Sequence, residues 1–144
     1  MYEIKILLKF YKIYFDKYFK NDKLDKLNLL FSKYFKNKYV VATPSGISIS
    51  SDNDFKNDID YDDLSSGEKK LIILFTISIF SENMIILLDE PETSLSVVWQ
   101  KELINDLEKS SNYKNLIVCT QSPFIVDDDM INNVICLPMG DNNE

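Results

Sequence analysis

Apolar positions along the chain follow three rhythms. Across residues 2–39 they recur at helical spacing, first Leu7, Phe10, Tyr14 and Tyr18, then Leu27, Leu30, Phe31 and Tyr34, which predicts two helices with a break near Asn21 and Asp22. Residues 39–43 and 47–50 are short β-prone runs on either side of Pro44, Ser45 and Gly46, and read as two strands joined by a tight turn. Residues 51–63 are acidic and polar and read as an exposed connection.

From residue 64 the rhythm changes to helix alternating with buried strand. Ser65 and Glu68 have the spacing of a capping box, and the helix they open, through about Phe80, is apolar almost all round and therefore expected to be buried. Residues 85–88 are continuously apolar, as in the middle of a parallel sheet. A helix is expected over 97–109 with Trp99, Leu103 and Leu107 on one face, followed by two more parallel strands at 116–120 and 134–137. The crossovers are long enough for right-handed β-α-β units. Asp89, Glu90 and Gln121 then fall at the C-terminal ends of strands, the edge at which open α/β sheets bind ligands.

With 144 residues and 45% apolar content, the chain can form one modest domain plus an arm. Residues 1–38 hold ten Lys and four acids, a balance of +6, whereas residues 39–144 hold six Lys and nineteen acids, a balance of −13, so the two parts are expected to face different surroundings. All sixteen basic residues are Lys, which excludes a bidentate guanidinium fork or an arginine finger from this chain. Cys119 and Cys136 lie in apolar runs without metal-ligand spacing, and with no His to complete a zinc site they read as buried free thiols. The apolar segment 71–80 is too short to span a bilayer, and Glu3 and Lys5 interrupt any signal-peptide core, so no membrane association and a cytoplasmic location are expected.

Phosphoryl transfer to water needs a magnesium ion to neutralise phosphate charge and a carboxylate to orient the attacking water. Asp89 and Glu90 offer two acids at a strand end, where successive side chains diverge to opposite faces. The plain alternative is a turn before Pro91; the four preceding apolar residues and the distance of twenty-two positions from Gly67 favour the chemical reading. Residues 65–67 open a helix whose free N–H groups attract phosphate, with Gly67 allowing close backbone approach. The plain alternative there is a simple helix cap. No G-x-x-x-x-G-K-[ST] phosphate loop occurs, since the only glycines are Gly46, Gly67 and Gly140.

Residues 64–70 (LSSGEKK), 85–100 (IILLDEPETSLSVVWQ) and 118–126 (VCTQSPFIV) resemble, in order and spacing, the signature motif, the Walker B motif with its D-loop, and the switch strand of ABC-type ATPase heads. The similarity is to the RecF/SMC-like and OLD-type branch, the AAA-type core ATPases, and extends over roughly residues 39–138. It implies an α/β fold, a partial P-loop NTPase head with parallel strands and flanking helices, preceded by a helical arm and a small β-hairpin. The resulting division is an arm at 1–38, a hairpin and acidic connection at 39–63, the signature, Walker B, D-loop and switch lobe at 64–140, and an acidic tail at 141–144.

The same resemblance implies ATP and Mg2+ as cofactors, Asp89 acting through the metal, and Glu90 as the catalytic carboxylate with Gln121 at the switch position. Ser65, Ser66, Gly67 and Glu68 would form the signature that meets the γ-phosphate of ATP held by another head, and Ser94, Leu95 and Ser96 the D-loop facing that head. The family's usual switch residue is His; an amide at Gln121 can hydrogen-bond but cannot take up a proton, so the switch chemistry is expected to be slowed or merely structural. The implied partner is an ATPase head supplying the Walker A motif, with an effector nuclease as a further candidate, in DNA metabolism or phage defence. Eleven aromatics interleaved with Lys in the first 39 residues allow a nucleic-acid surface or an amphipathic helix pair packed on protein. Two alternatives stay open: a non-enzymatic truncated head that regulates an intact ATPase, and a fragment of a split gene.

Overall fold

The computed structural model describes residues 21–43, 46–51, 54–110 and 113–137. Helix α1 (Asn21–Tyr34) is the second of the two expected helices; the first lies outside the described residues. Leu27, Leu30, Phe31, Tyr34 and Phe35 turn inward at helical spacing. The described aromatics of this segment other than Tyr39 are therefore core residues, not stacking platforms. Three of its described lysines reach the acidic part of the chain: Lys23 pairs with Glu82, Lys33 with Glu102 and Asp106, and Lys38 with Glu68. Among the described residues, part of the charge asymmetry is thus used within the fold.

Strands β1 (Lys38–Thr43) and β2 (Gly46–Ser51) form the expected hairpin, with Thr43 opposite Gly46. Gly46 has φ of 144°, a conformation that favours glycine. The Asn28 amide grips β1 by donating to the Ala42 carbonyl at 3.2 Å and accepting from the Ala42 N–H at 2.7 Å. Residues 51–63 are not simply a connection. A third strand, β3 (Asp54–Asp58), pairs antiparallel with β2, and a 3-10 turn follows at Tyr61–Asp63. An acidic composition disguised this strand because its ladder is made by backbone groups, which carry no side-chain signature.

Helix α2 (Ser66–Phe80) begins at the capping box: the Ser65 hydroxyl accepts from the Glu68 N–H, and the Glu68 carboxylate accepts from the Ser65 N–H at 2.9 Å. It is buried along most of its circumference, with Leu71, Ile72 and Phe75 fully inside. Helix α3 (Val97–Ser110) contributes Leu103, Ile104 and Leu107, and Tyr34 packs between α2 and α3, its ring tilted against Phe75 at 4.9 Å between centroids and edge-on to Trp99 at 6.0 Å. One core thus unites α1, the antiparallel sheet and both later helices.

Strands β4 (Ile85–Asp89) and β5 (Asn115–Cys119) pair in parallel across the α3 crossover, Ile85 opposite Asn115 and Asp89 opposite Cys119. Ile86, Leu88, Leu116 and Val118 face the core, whereas Ile85, Leu87 and Ile117 are exposed. The continuous apolar run correctly signalled a strand suited to burial on both faces, but among the described residues only one face is covered. Cys119 lies in the uncovered row, and it and Cys136 are both exposed, which overturns their reading as buried thiols. Residues 134–137 form no strand either. They follow a 3-10 turn at Asp128–Asn133, pair with neither β4 nor β5, and are exposed, so among the described residues their β-prone side chains have no ladder to join. Among the described residues no helix is long and apolar enough to cross a membrane.

Candidate functional site

At the C-terminal edge of the parallel pair, four chain segments converge: the start of α2, the acidic turn after β4, the turn into α3, and the turn after β5. Asp89 closes β4 with an exposed side chain. Glu90 leaves the strand with φ of 45°, a conformation unusual for a residue with a Cβ. That backbone is fixed by its own hydrogen bonds. The Glu90 N–H donates to the Cys119 carbonyl at 2.9 Å, and the Glu90 carbonyl accepts from the Thr93 N–H at 3.1 Å, the Thr93 hydroxyl at 2.9 Å and Lys70 Nζ at 2.7 Å. A sparsely populated backbone held by this many bonds is typical of a site where side-chain placement matters.

Lys70 belongs to α2, and its ammonium also reaches the Thr93 carbonyl at 3.3 Å, tying the signature helix to the acidic turn. Burial lowers its pKa, against the opposing charges of Glu92 and Glu90. The second tie is Gly67. A Cβ placed there would lie 2.4 Å from the Ser94 carbonyl oxygen, so the glycine is needed for α2 to pack against the turn of its own chain. Ser94 itself has φ of 70°.

Signature residues divide by environment. Ser66 is exposed, and Gly67 is buried. Ser65 and Glu68 are occupied by the cap, and Glu68 is further held by Lys38 Nζ at 2.7 and 2.9 Å. Of the residues expected to form the D-loop, Ser94 is exposed, Leu95 is buried, and Ser96 accepts from the Trp99 N–H at 3.4 Å at the start of α3. Gln121 is exposed, with its backbone N–H on Glu92.

Burial pushes the Glu68 carboxyl up in pKa, and the hydrogen bonds from Lys38 and Ser65 outweigh it, holding the group below its ordinary value of 4.5. A depressed folded pKa means that this group's stabilisation is present above the ordinary carboxylate range and lost as pH falls through it. Thermal unfolding between pH 7 and 3 is expected to show a smaller acid-induced drop in Tm for Glu68→Gln than for wild type. Parallel curves would show that the Glu68 cluster does not couple to folding.

Glu92 escaped the sequence reading. It is buried, and its Oε1 accepts from the Thr120 hydroxyl, the Gln121 N–H at 3.3 Å and the Ser122 N–H at 3.2 Å. Burial raises its pKa, but the Thr120 hydroxyl and the backbone amides bring it below the ordinary value. Gln100 completes the frame, donating to the Leu95 carbonyl at 2.9 Å while accepting from the Ser122 hydroxyl at 2.6 Å. Their residue types, two residues beyond Glu90 and within the first turn of α3, were the only available signal.

Among the described residues no three His, Cys, Asp or Glu side chains form a group able to hold a metal ion. The donor set suits magnesium in one mode only, Asp89 acting with phosphate oxygens, because Mg2+ is commonly bound by one or two carboxylates plus substrate phosphates and water.

A capped helix packed on an acidic turn at the end of a parallel β-α-β unit is the architecture of part of an ABC/AAA-type ATPase head. The chain belongs to the family described as "AAA domain, putative AbiEii toxin, Type IV TA system", whose model matches residues 2–127. Its fold is similar to an SMC head solved with the C-terminal winged-helix domain of ScpA, with a TM-score of 0.56 and 18% identity over 73% of this chain and 36% of that one. A second similar structure, from a study of ATP-driven dimerization and DNA-stimulated activation of SMC ATPases, has a TM-score of 0.52 and 20% identity over 73% of this chain and 70% of that one. An uncharacterized protein of Dictyostelium discoideum is 37% identical over 71 residues, which is 43% of this chain and 9% of that protein. The chain thus spans about a tenth of that relative and about a third of the first SMC head.

Proposed function

We propose that this chain is an ATP-binding and hydrolysis module whose composite site is completed by a phosphate loop supplied from outside these residues, by a further head. The observation that carries this reading is the convergence of Ser66, Asp89, Glu90, Ser94 and Gln121 on one sheet edge, joined through Lys70, Gly67 and Glu92. Asp89 would hold Mg2+ together with phosphate oxygens, and bound Mg2+ supplies charge neutralisation for phosphoryl transfer. Glu90 would orient the attacking water and accept its proton, and the Gln121 amide would hydrogen-bond that water or the γ-phosphate without carrying charge. Ser66, at the first turn of α2, would meet phosphate from the opposite head, where helix N–H groups and the helix dipole favour an anion. Ser94 and Ser96 would line the same interface, with Leu95 anchoring the loop from inside.

The family's description as a putative AbiEii toxin of a type IV toxin–antitoxin system supports a role in phage defence over one in DNA repair. A cytoplasmic location accords with that role.

Two measurements test the reading. The purified chain is expected to release no phosphate from Mg-ATP above background. Mixed with a head that has an intact phosphate loop and a neutralised catalytic carboxylate, it is expected to associate only with ATP, as read by light scattering. Ser66→Asp should abolish that association while keeping the fold, since an acid in the first helical turn is locally favourable. Association that survives in Ser66→Asp rules out the role across the interface. Robust turnover by the chain alone that vanishes in Glu90→Ala would require a phosphate site within these residues. ATP-dependent association without turnover in the unneutralised complex would select the regulatory, non-enzymatic alternative.

A further inference from the structure

Glu92 is bound more heavily than a turn residue requires. All three donors to its Oε1 come from the turn after β5, namely the Thr120 hydroxyl and the Gln121 and Ser122 amides. Its own backbone belongs to the other turn: the Glu92 carbonyl accepts from the Leu95 N–H at 2.9 Å, and Glu90 lies two residues before it. The residue is only 6% exposed, and its Oε2 is buried with no hydrogen-bond partner among the described residues. Lys70, the cation of this region, has its ammonium on the Glu90 and Thr93 carbonyls. A carboxylate taken out of water is destabilising unless its hydrogen bonds compensate, and here the compensating donors are concentrated on the segment that carries Gln121. One side chain therefore bridges the two segments whose geometry hydrolysis depends on.

We infer that Glu92 is a positioning residue that sets Glu90 and Gln121 as a single unit, its Oε1 locking the turn after β5 while its backbone is part of the turn after β4. This rests on the reading of Glu90 and Gln121 as hydrolytic residues. Through this bridge, a displacement of Gln121 on meeting nucleotide reaches the acidic turn without passing along the strands. A carboxylate suits the task because one oxygen accepts several convergent donors, which a hydroxyl cannot do with the same reach.

Backbone amide exchange, followed residue by residue in the nucleotide-free chain, tests the bridge directly. Glu92→Leu deletes the acceptor and is expected to speed exchange at Gln121 and Ser122 by about tenfold or more, whereas Glu92→Gln, whose amide oxygen can take the same donors, should stay within about threefold of wild type. Thr120→Val removes one donor to Glu92, together with the acceptor that the Ser122 N–H reaches at 3.0 Å, and leaves Glu92 in place; exchange at Leu95, on the other turn, is expected to rise by about twofold to fivefold. Unchanged exchange at Leu95 in Thr120→Val overturns the coupling, and unchanged exchange at Gln121 and Ser122 in Glu92→Leu overturns the clamp itself. Thr120→Val and Glu92→Gln keep the test open if Glu92→Leu fails to fold. In the reconstituted complex, Glu92→Leu should lower kcat by about tenfold or more with KM for ATP within about twofold, and Glu92→Gln should restore most of it. A wild-type complex without turnover refutes the hydrolase reading alone, because the exchange measurement decides the bridge without nucleotide. Normal kcat in Glu92→Leu refutes the positioning role while leaving the hydrolase reading intact.

Discussion

Replacing Glu90 by Gln, in a complex that supplies the phosphate loop, is expected to lower ATP turnover by about a hundredfold to ten-thousandfold while leaving ATP-dependent association in place. The substitution keeps the size of the side chain and removes its capacity to accept a proton. It spares the fold for a specific reason. The unusual conformation of residue 90 is imposed through its backbone, by bonds to the Cys119 carbonyl, Thr93 and Lys70, none of which uses its carboxylate. Single-turnover phosphate release with wild-type and Glu90→Gln chains measures the effect, and thermal unfolding of both checks that the turn survives. Equal turnover would remove Glu90 from the chemistry and direct attention to Asp89, whose side chain is exposed at the end of β4. Loss of association along with turnover would assign Glu90 to nucleotide binding.

Gly67→Ala is expected to destabilise the chain by about 1–3 kcal/mol, the range for overpacking in a close-packed region. Two effects oppose each other. Ala is favoured over Gly within a helix by up to about 1 kcal/mol, but the new methyl would sit 2.4 Å from the Ser94 carbonyl oxygen. The clash wins because the neighbour is backbone and cannot swing away: its turn is held by Lys70 on the Thr93 carbonyl, by the Leu95 N–H on the Glu92 carbonyl and by Gln100 on the Leu95 carbonyl. Chemical denaturation of the two chains decides the matter, and a wild-type midpoint for Gly67→Ala would show that α2 can retreat freely. The result bears on function as well. A loss of ATP-dependent association in any Gly67 variant would mix a damaged turn with a damaged interface, whereas Ser66, exposed at the start of the same helix, reports on the interface alone.

Local signals in the sequence determined the elements whose physics is itself local. Ser65 and Glu68 specified the start of α2 through a reciprocal cap, the apolar rhythm of α2 and α3 specified their burial, and the runs in β4 and β5 specified strands with Asp89 at one end. Three motifs in register were enough to indicate the class of the fold. What depends on partners distant in sequence was not legible. The acidic residues of β3 join a sheet through backbone bonds to β2, and residues 134–137, for all their β-prone composition, join none among the described residues. Cys119 looked like a core thiol because a run of apolar residues cannot say whether both faces of a sheet will be covered.

The site shows the same division. The placement of Glu90 after a strand and of Ser65 to Glu68 at a helix start could be read from spacing, because strand ends and helix starts are fixed within a few residues. Tertiary structure alone decided that Lys70 would tie α2 to the acidic turn, that Gly67 would be consumed by packing against Ser94, and that Glu92 would turn inward to hold Thr120, Gln121 and Ser122. Each of these is a contact across twenty or more positions between groups that are ordinary in isolation. Such contacts exist only once the core has fixed the distance between the segments, so a reading of neighbouring residues supplies the parts of this site and folding supplies the bonds between them.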